Sequence, residues 1–111
     1  MTKFMVLYKS TSSAKEQMAN ATPEEAKAGM DAWMAWSAEA GNAIVDLGAP
    51  LQARSEVHSG SAVDNFSKAS GYSILQADSV GDLTALLSKH PHLQMPGSSI
   101  EILEMLSMPG M

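Results

Sequence analysis

The apolar positions of this chain change their spacing from one stretch to the next, and each change marks an element. Phe4-Met5-Val6-Leu7-Tyr8 is a short apolar run between Lys3 and Lys9, too brief for a helix, and predicts a strand buried on both faces. Residues 10–21, rich in Ser, Thr, Ala and Asn, read as a loop with a partial helical turn around Ala14 to Met18. Thr22-Pro23-Glu24-Glu25 is then a helix start, with Thr as the cap, Pro at the first helical position and Glu closing a capping box. Helix formers continue to Gly41, a natural stop. Helical stepping puts Ala26, Met30, Trp33, Met34 and Ser37 on one stripe, with Asp31 on its shoulder and Trp36 pointing elsewhere than Trp33.

Ala43 to Leu47 predicts a second strand, and Gly48-Ala49-Pro50 a turn out of it. Over residues 51–70 the alternation is weak, in Ser55 to Ser59 and again in Ala62 to Phe66 around Gly60, which fits a ragged hairpin or a long loop. Tyr72 to Gln76 reads as a third main strand. Ser79 or Asp78 caps a second helix with Val80, Leu83, Leu86 and Leu87 on its apolar face; its last turn reaches His90, and Pro91 stops it. Ser99 to Leu106 is the last strand, followed by a Met-Pro-Gly-Met tail.

The order β-α-β-β-α-β is the ferredoxin-like arrangement of an α+β domain, here residues 1–111 as a single unit. Right-handed crossovers place both helices on one face of a four-stranded antiparallel sheet. The first and last strands nevertheless carry apolar residues on both sides, and two helices cover only one. The exposed remainder predicts a homodimer with two sheets face to face.

Composition narrows the function. A net charge of -5 with seven scattered Lys and Arg argues against nucleic acid as a partner. The absence of cysteine removes disulfide and thiolate chemistry. The N-terminal apolar run is too short for a signal peptide or a membrane span, so no membrane partner and a cytoplasmic location are expected. Nine methionines against two phenylalanines make the apolar surface pliable, suiting a soft core or a permissive pocket.

Six segments in order, Lys3-Phe4-Met5-Val6-Leu7-Tyr8, Trp33-Met34-Ala35-Trp36, Asp46-Leu47-Gly48-Ala49-Pro50-Leu51, Gly71-Tyr72-Ser73-Ile74, His90-Pro91-His92-Leu93 and Ser99-Ile100-Glu101-Ile102, resemble the YCII-related domain family and its DGPF-type relatives. The resemblance spans nearly the whole chain. It implies a dimeric α+β barrel and a His-Asp centre near the helix side of the sheet, with dehalogenation or lyase chemistry on small aromatic or acidic molecules in a few members. The nearest matches to that centre are Asp31 and His90, with the two residue types exchanged, and Asp64-Asn65-Phe66 stands roughly where the Asp-Gly-Pro-Phe signature would.

On this reading Asp31 lies roughly 12 Å along the first helix and His90 roughly 16 Å along the second, similar depths that permit contact. A carboxylate beside the imidazole would fix its tautomer and make His90 a general base for lyase or isomerase chemistry. The plainer alternative is a solvated Asp31 and a His90 cation on a helix C-terminus. His90 and His92 form a His-x-His that could ligate a metal with His58 or Asp31; exposed loop histidines are the simpler reading, and neither metal nor cofactor is expected. Trp33, Tyr8, Tyr72, Gly48, Pro50 and His92 are the candidate walls of a small-molecule pocket, with Trp33 as a plain core residue the alternative. Ser73 and Ser37 are further polar candidates, with no activated-nucleophile motif around them. A second functional class is a non-catalytic ligand-binding or regulatory module of the same fold.

Overall fold

The computed structural model describes residues 1–12, 14–64 and 67–109. Asn65 and Phe66 of the hairpin segment, and the last two residues of the tail, lie outside them. Among the described residues, six strands and three α-helices follow in the order β1 (Thr2–Lys9), α1 (Ala14–Asn20), α2 (Pro23–Ala40), β2 (Ile44–Pro50), β3 (Ser55–His58), β4 (Ser61–Asp64), β5 (Ala69–Ala77), α3 (Val80–Leu87) and β6 (Ser99–Glu104). Four strands form one sheet in the order β2-β5-β1-β6, with every neighbouring pair antiparallel, and β3 and β4 form a separate two-stranded hairpin. The chain is therefore α+β with a four-stranded antiparallel sheet, compatible with a ferredoxin-like fold. The hairpin and α1 are additions to that frame.

Alternation in the strands decides which side chains meet the helices. Phe4, Val6 and Tyr8 of β1 lie opposite Leu75, Ser73 and Gly71 of β5, and Val6 and Tyr8 lie opposite Ile102 and Ile100 of β6. These residues share one side of the sheet. Trp36 of α2 and Leu83 and Leu87 of α3 pack onto that side, joining Phe4, Val6, Tyr8 and Leu75 in the buried core. Each such side chain, removed from water, contributes on the order of 2 kcal/mol.

Local signals set the helix ends. Thr22 Oγ1 accepts from the Glu25 backbone N–H at 3.1 Å, and Glu25 Oε1 accepts from the Thr22 N–H at 3.4 Å, closing the box expected from the sequence. Gly41, with φ at 52°, ends α2. Ser79 Oγ caps α3 by accepting from the Asp82 N–H at 3.1 Å.

Four readings of the sequence are corrected. Trp36, not the Met30 and Met34 stripe, is the buried anchor of α2, because the inward line runs through Trp33, Trp36 and Ala40, whereas Met30 and Met34 face solvent. Gly48-Ala49-Pro50 is strand rather than turn, with Ala49 opposite Tyr72 and Pro50 opposite Gly71. Residues 14–20 form a full helix rather than a partial turn. The last strand ends at Glu104, short of Leu106.

The reverse side of the sheet carries Met5 and Leu7 opposite Ile74 and Tyr72, and Met5 opposite Leu103. The molecule is only 20 Å across its thinnest axis, the depth of one helix layer on one sheet. Met5, Leu7, Tyr72 and Ile74 on that reverse face are half-buried and take no part in the core cluster.

Candidate functional site

The segment after α3 is built by its two histidines. The helix closes at Ser88, and the His90 N–H reaches back to the Leu87 carbonyl at 3.0 Å. His90 then has extended backbone and caps a 3-10 turn over Pro91–Gln94, its Nδ1 accepting from the His92 backbone N–H at 3.0 Å. Pro91 occupies the first position of that turn, where a missing N–H costs nothing. His90 is therefore not the last residue of a helix. It is the cap of the next turn, folded inward.

That inward fold buries it. His90 is 1% exposed, and its ring stands 4.8 Å from Tyr8, 4.3 Å from Trp33 and 4.4 Å from Trp36, centroid to centroid. Trp33 meets both Tyr8 and His90 edge to face, a favoured aromatic geometry. Trp36 is held by its indole N–H, which donates to the Leu86 carbonyl at 3.4 Å. Burial, reinforced by the nearby His92, lowers the His90 pKa to about 4, so the ring is neutral at pH 7. With Nδ1 accepting, the proton sits on Nε2. That N–H has no hydrogen-bond partner among the described residues, although it is fully enclosed.

Two further polar chains flank the rings. Tyr8 Oη donates to Ser73 Oγ at 2.8 Å, and Ser73 Oγ donates to the Leu47 carbonyl at 2.6 Å, tying β1 through β5 to β2. Burial raises the Tyr8 pKa, against a smaller opposing effect of the Ser73 hydrogen bond. His92 Nε2 lies 2.8 Å from the Lys9 carbonyl, which can only accept, so this nitrogen donates.

The structure brings together His90, Tyr8, Trp33 and His92 from the residues singled out in the sequence. It does not bring Asp31 to them. Asp31 lies on the exposed side of α2, where its carboxylate pairs with Lys27 at 3.2 Å across one helical turn. Tyr72 lies on the opposite side of the sheet, since it neighbours Leu7 rather than Tyr8. Gly48 and Pro50 belong to edge strand β2, separated from β6 by two strands and paired with β5. His58 is out on the hairpin, paired with Glu56 at 2.8 Å. Among the described residues no group of three or more His, Asp and Glu is placed to hold a metal.

Sequence reasoning missed Trp36 as a wall of this cluster because it treated the two tryptophans as divergent. Three residues along a helix are only about 60° apart, which lets both rings flank one histidine. A separate hollow of about 230 Å³ lies between α3 and β6, lined by Thr84, Leu87, Ser88, Leu93, Ile100 and Ile102.

Neither the models of known protein families nor the curated proteins give a match to this chain. No helix among the described residues is long and apolar enough to cross a membrane.

Proposed function

We propose that this chain is a cytoplasmic ferredoxin-like βαββαβ module similar to the YCII-related domain, acting as a homodimer that binds a small organic molecule without transforming it. The observation that carries the reading is the state of His90. A general base needs a free lone pair aimed at its substrate, and the one lone pair of this neutral ring is occupied by the His92 N–H. What His90 has left to offer is a donor, the enclosed Nε2–H, framed by Tyr8, Trp33 and Trp36. Such a frame suits a flat molecule bearing a hydrogen-bond acceptor. Trp33 is the partly exposed member of the cluster and so the wall that a ligand would displace on entry.

Lyase or isomerase chemistry with His90 as base and Asp31 as its orienting partner has less support, because Asp31 is engaged by Lys27 outside the cluster. The homodimer is supported by the uncovered apolar side of the sheet, with Met5, Leu7, Ile74 and Leu103.

His90→Asn tests the binding reading. Asparagine caps turns by accepting from the N–H two residues on, so it preserves the cap while deleting the enclosed donor. In thermal scans with small aromatic carbonyl and carboxylate compounds, a compound that stabilises the native protein should lose at least tenfold in affinity for the variant. Equal stabilisation of both proteins would remove His90 from the site.

A further inference from the structure

The two edges of the main sheet are unlike. β2 is blunted in the ways that stop an edge from pairing further: its register against β5 slips on both sides of Asp46, Gly48 adopts φ of 84°, and Pro50 has no N–H. β6, the opposite edge, pairs with β1 through six consecutive residues without a slip, and it contains neither proline nor lysine. Its free backbone groups follow from the ladder. The Met105 N–H donates to the Lys3 carbonyl at 2.9 Å, so the hydrogen-bonded pairs with β1 fall on Ser99, Glu101, Leu103 and Met105. The N–H and C=O of Ile100, Ile102 and Glu104 therefore point away from β1, along the rim of the sheet.

The same strand borders the hollow beside α3. Ile100 and Ile102 line it from the sheet, and Thr84, Leu87, Ser88 and Leu93 from the helix and the turn that follows. At about 230 Å³ it is smaller than the roughly 300 Å³ at which small-molecule pockets begin, yet large enough for one aliphatic side chain. The apolar character of β6 meanwhile runs on past Glu104, its last paired residue. Leu103 is 43% exposed, Met105 45% and Leu106 79%.

From these we infer that β6 pairs antiparallel with β6 of a second copy across a two-fold axis at Leu103, and that Leu106 of each copy fills the hollow of the other. Charge and position select this register. An axis at Glu101 or at Glu104 would set two carboxylates side by side. An axis at Ile102 would carry Leu106 past the hollow, opposite Ser98. With the axis at Leu103, Ile100 faces Leu106 of the second copy, Ile102 faces its Glu104 and Glu101 faces its Met105, so no like charges meet. Leu106 has the parity of Ile100 and Ile102 and enters on the hollow's side of the sheet. About eight backbone hydrogen bonds then join the copies. The contact runs along the rim and leaves both sides of the sheet free. It is therefore independent of the face-to-face homodimer proposed above, and joins such dimers at high concentration.

Residue-resolved amide hydrogen exchange tests the pairing. At 500 μM the Ile102 and Glu104 amides should exchange at least tenfold more slowly than free-chain rates, and they should lose that protection on dilution to 10 μM. Leu106→Asp, at an exposed position, should abolish the protection at 500 μM, while the Leu103 and Met105 amides, which bond to β1, stay slow and report a folded subunit. Ile74→Glu, on the side of the sheet, should leave the rim amides protected. Free-chain exchange of Ile102 and Glu104 at 500 μM would overturn the pairing. Protection that survives Leu106→Asp would overturn the seating of Leu106 in the hollow, and protection lost in Ile74→Glu would move the contact to the side of the sheet. Protection that appears only when an unrelated apolar peptide is added would assign the rim to another protein and overturn the self-pairing.

Discussion

His90 is a titratable group kept neutral by its surroundings, and that has a definite consequence for stability. Its pKa is lowered to about 4 in the folded protein from the ordinary 6.5 of a solvated imidazole. Between these values the unfolded chain binds a proton that the folded chain refuses, so stability falls as pH drops through this window and levels off below about 4. Fully expressed, the effect is about 3 kcal/mol. Thermal unfolding of the native protein should show a falling Tm from pH 6.5 to 4, and His90→Asn should flatten that slope. A slope unchanged in the variant would assign the acid sensitivity to another group. His92 sits two residues away and is also buried, but its Nε2 is anchored on the Lys9 carbonyl, so the two histidines do different work: one caps a turn, the other ties that turn to β1.

Among the elements, β2 is the one whose local chemistry contradicts its sequence signals. Asp46 Oδ1 accepts from the Gly48 N–H at 2.9 Å and bends the strand, and the register against β5 slips on both sides of Asp46. Gly48 adopts φ of 84°, and a Cβ there would stand 1.7 Å from the Tyr72 carbonyl oxygen. Gly48→Ala should therefore cost several kcal/mol and detach the edge strand, measured as a drop in the chemical denaturation midpoint. A loss under 1 kcal/mol would mean that the bulge relaxes freely. This strand also illustrates what was legible beforehand. The Thr22 capping box, a cap at Ser79 or Asp78, which the structure assigns to Ser79, and the alternation of Phe4, Val6 and Tyr8 depend on near neighbours in the chain and are readable from it. The run Gly48-Ala49-Pro50 has the composition of a turn, and only its pairing with Tyr72 and Gly71, more than twenty residues on, makes it strand. Local signals alone likewise place His90 at a helix end. Pro91 does stop the helix, but the turn that follows, and the inward fold it imposes on His90, come from tertiary packing against Trp33 and Trp36. Asp31 is singled out only by a resemblance, and its partner is the lysine one turn away.

At the scale of the molecule, the decisive feature is a sheet with one face roofed by α2 and α3 and the other open. Ile74 stands near the middle of the open face, on β5, beside Met5 of β1 and Asp46 of β2. Its side chain takes no part in the core of its own subunit, so Ile74→Glu should leave the monomer folded, with unchanged far-ultraviolet circular dichroism. In a two-fold dimer joined through this face the substitution occurs twice, and each glutamate would have to be buried without a partner or protonated. Two such penalties of about 2 kcal/mol each weaken association by about three orders of magnitude. Sedimentation at 10 μM should then find the native protein as a dimer and the variant as a monomer. If the variant stays dimeric, the subunits join elsewhere; in that case the exposed Met30 and Met34 of α2 form the next apolar surface to be changed.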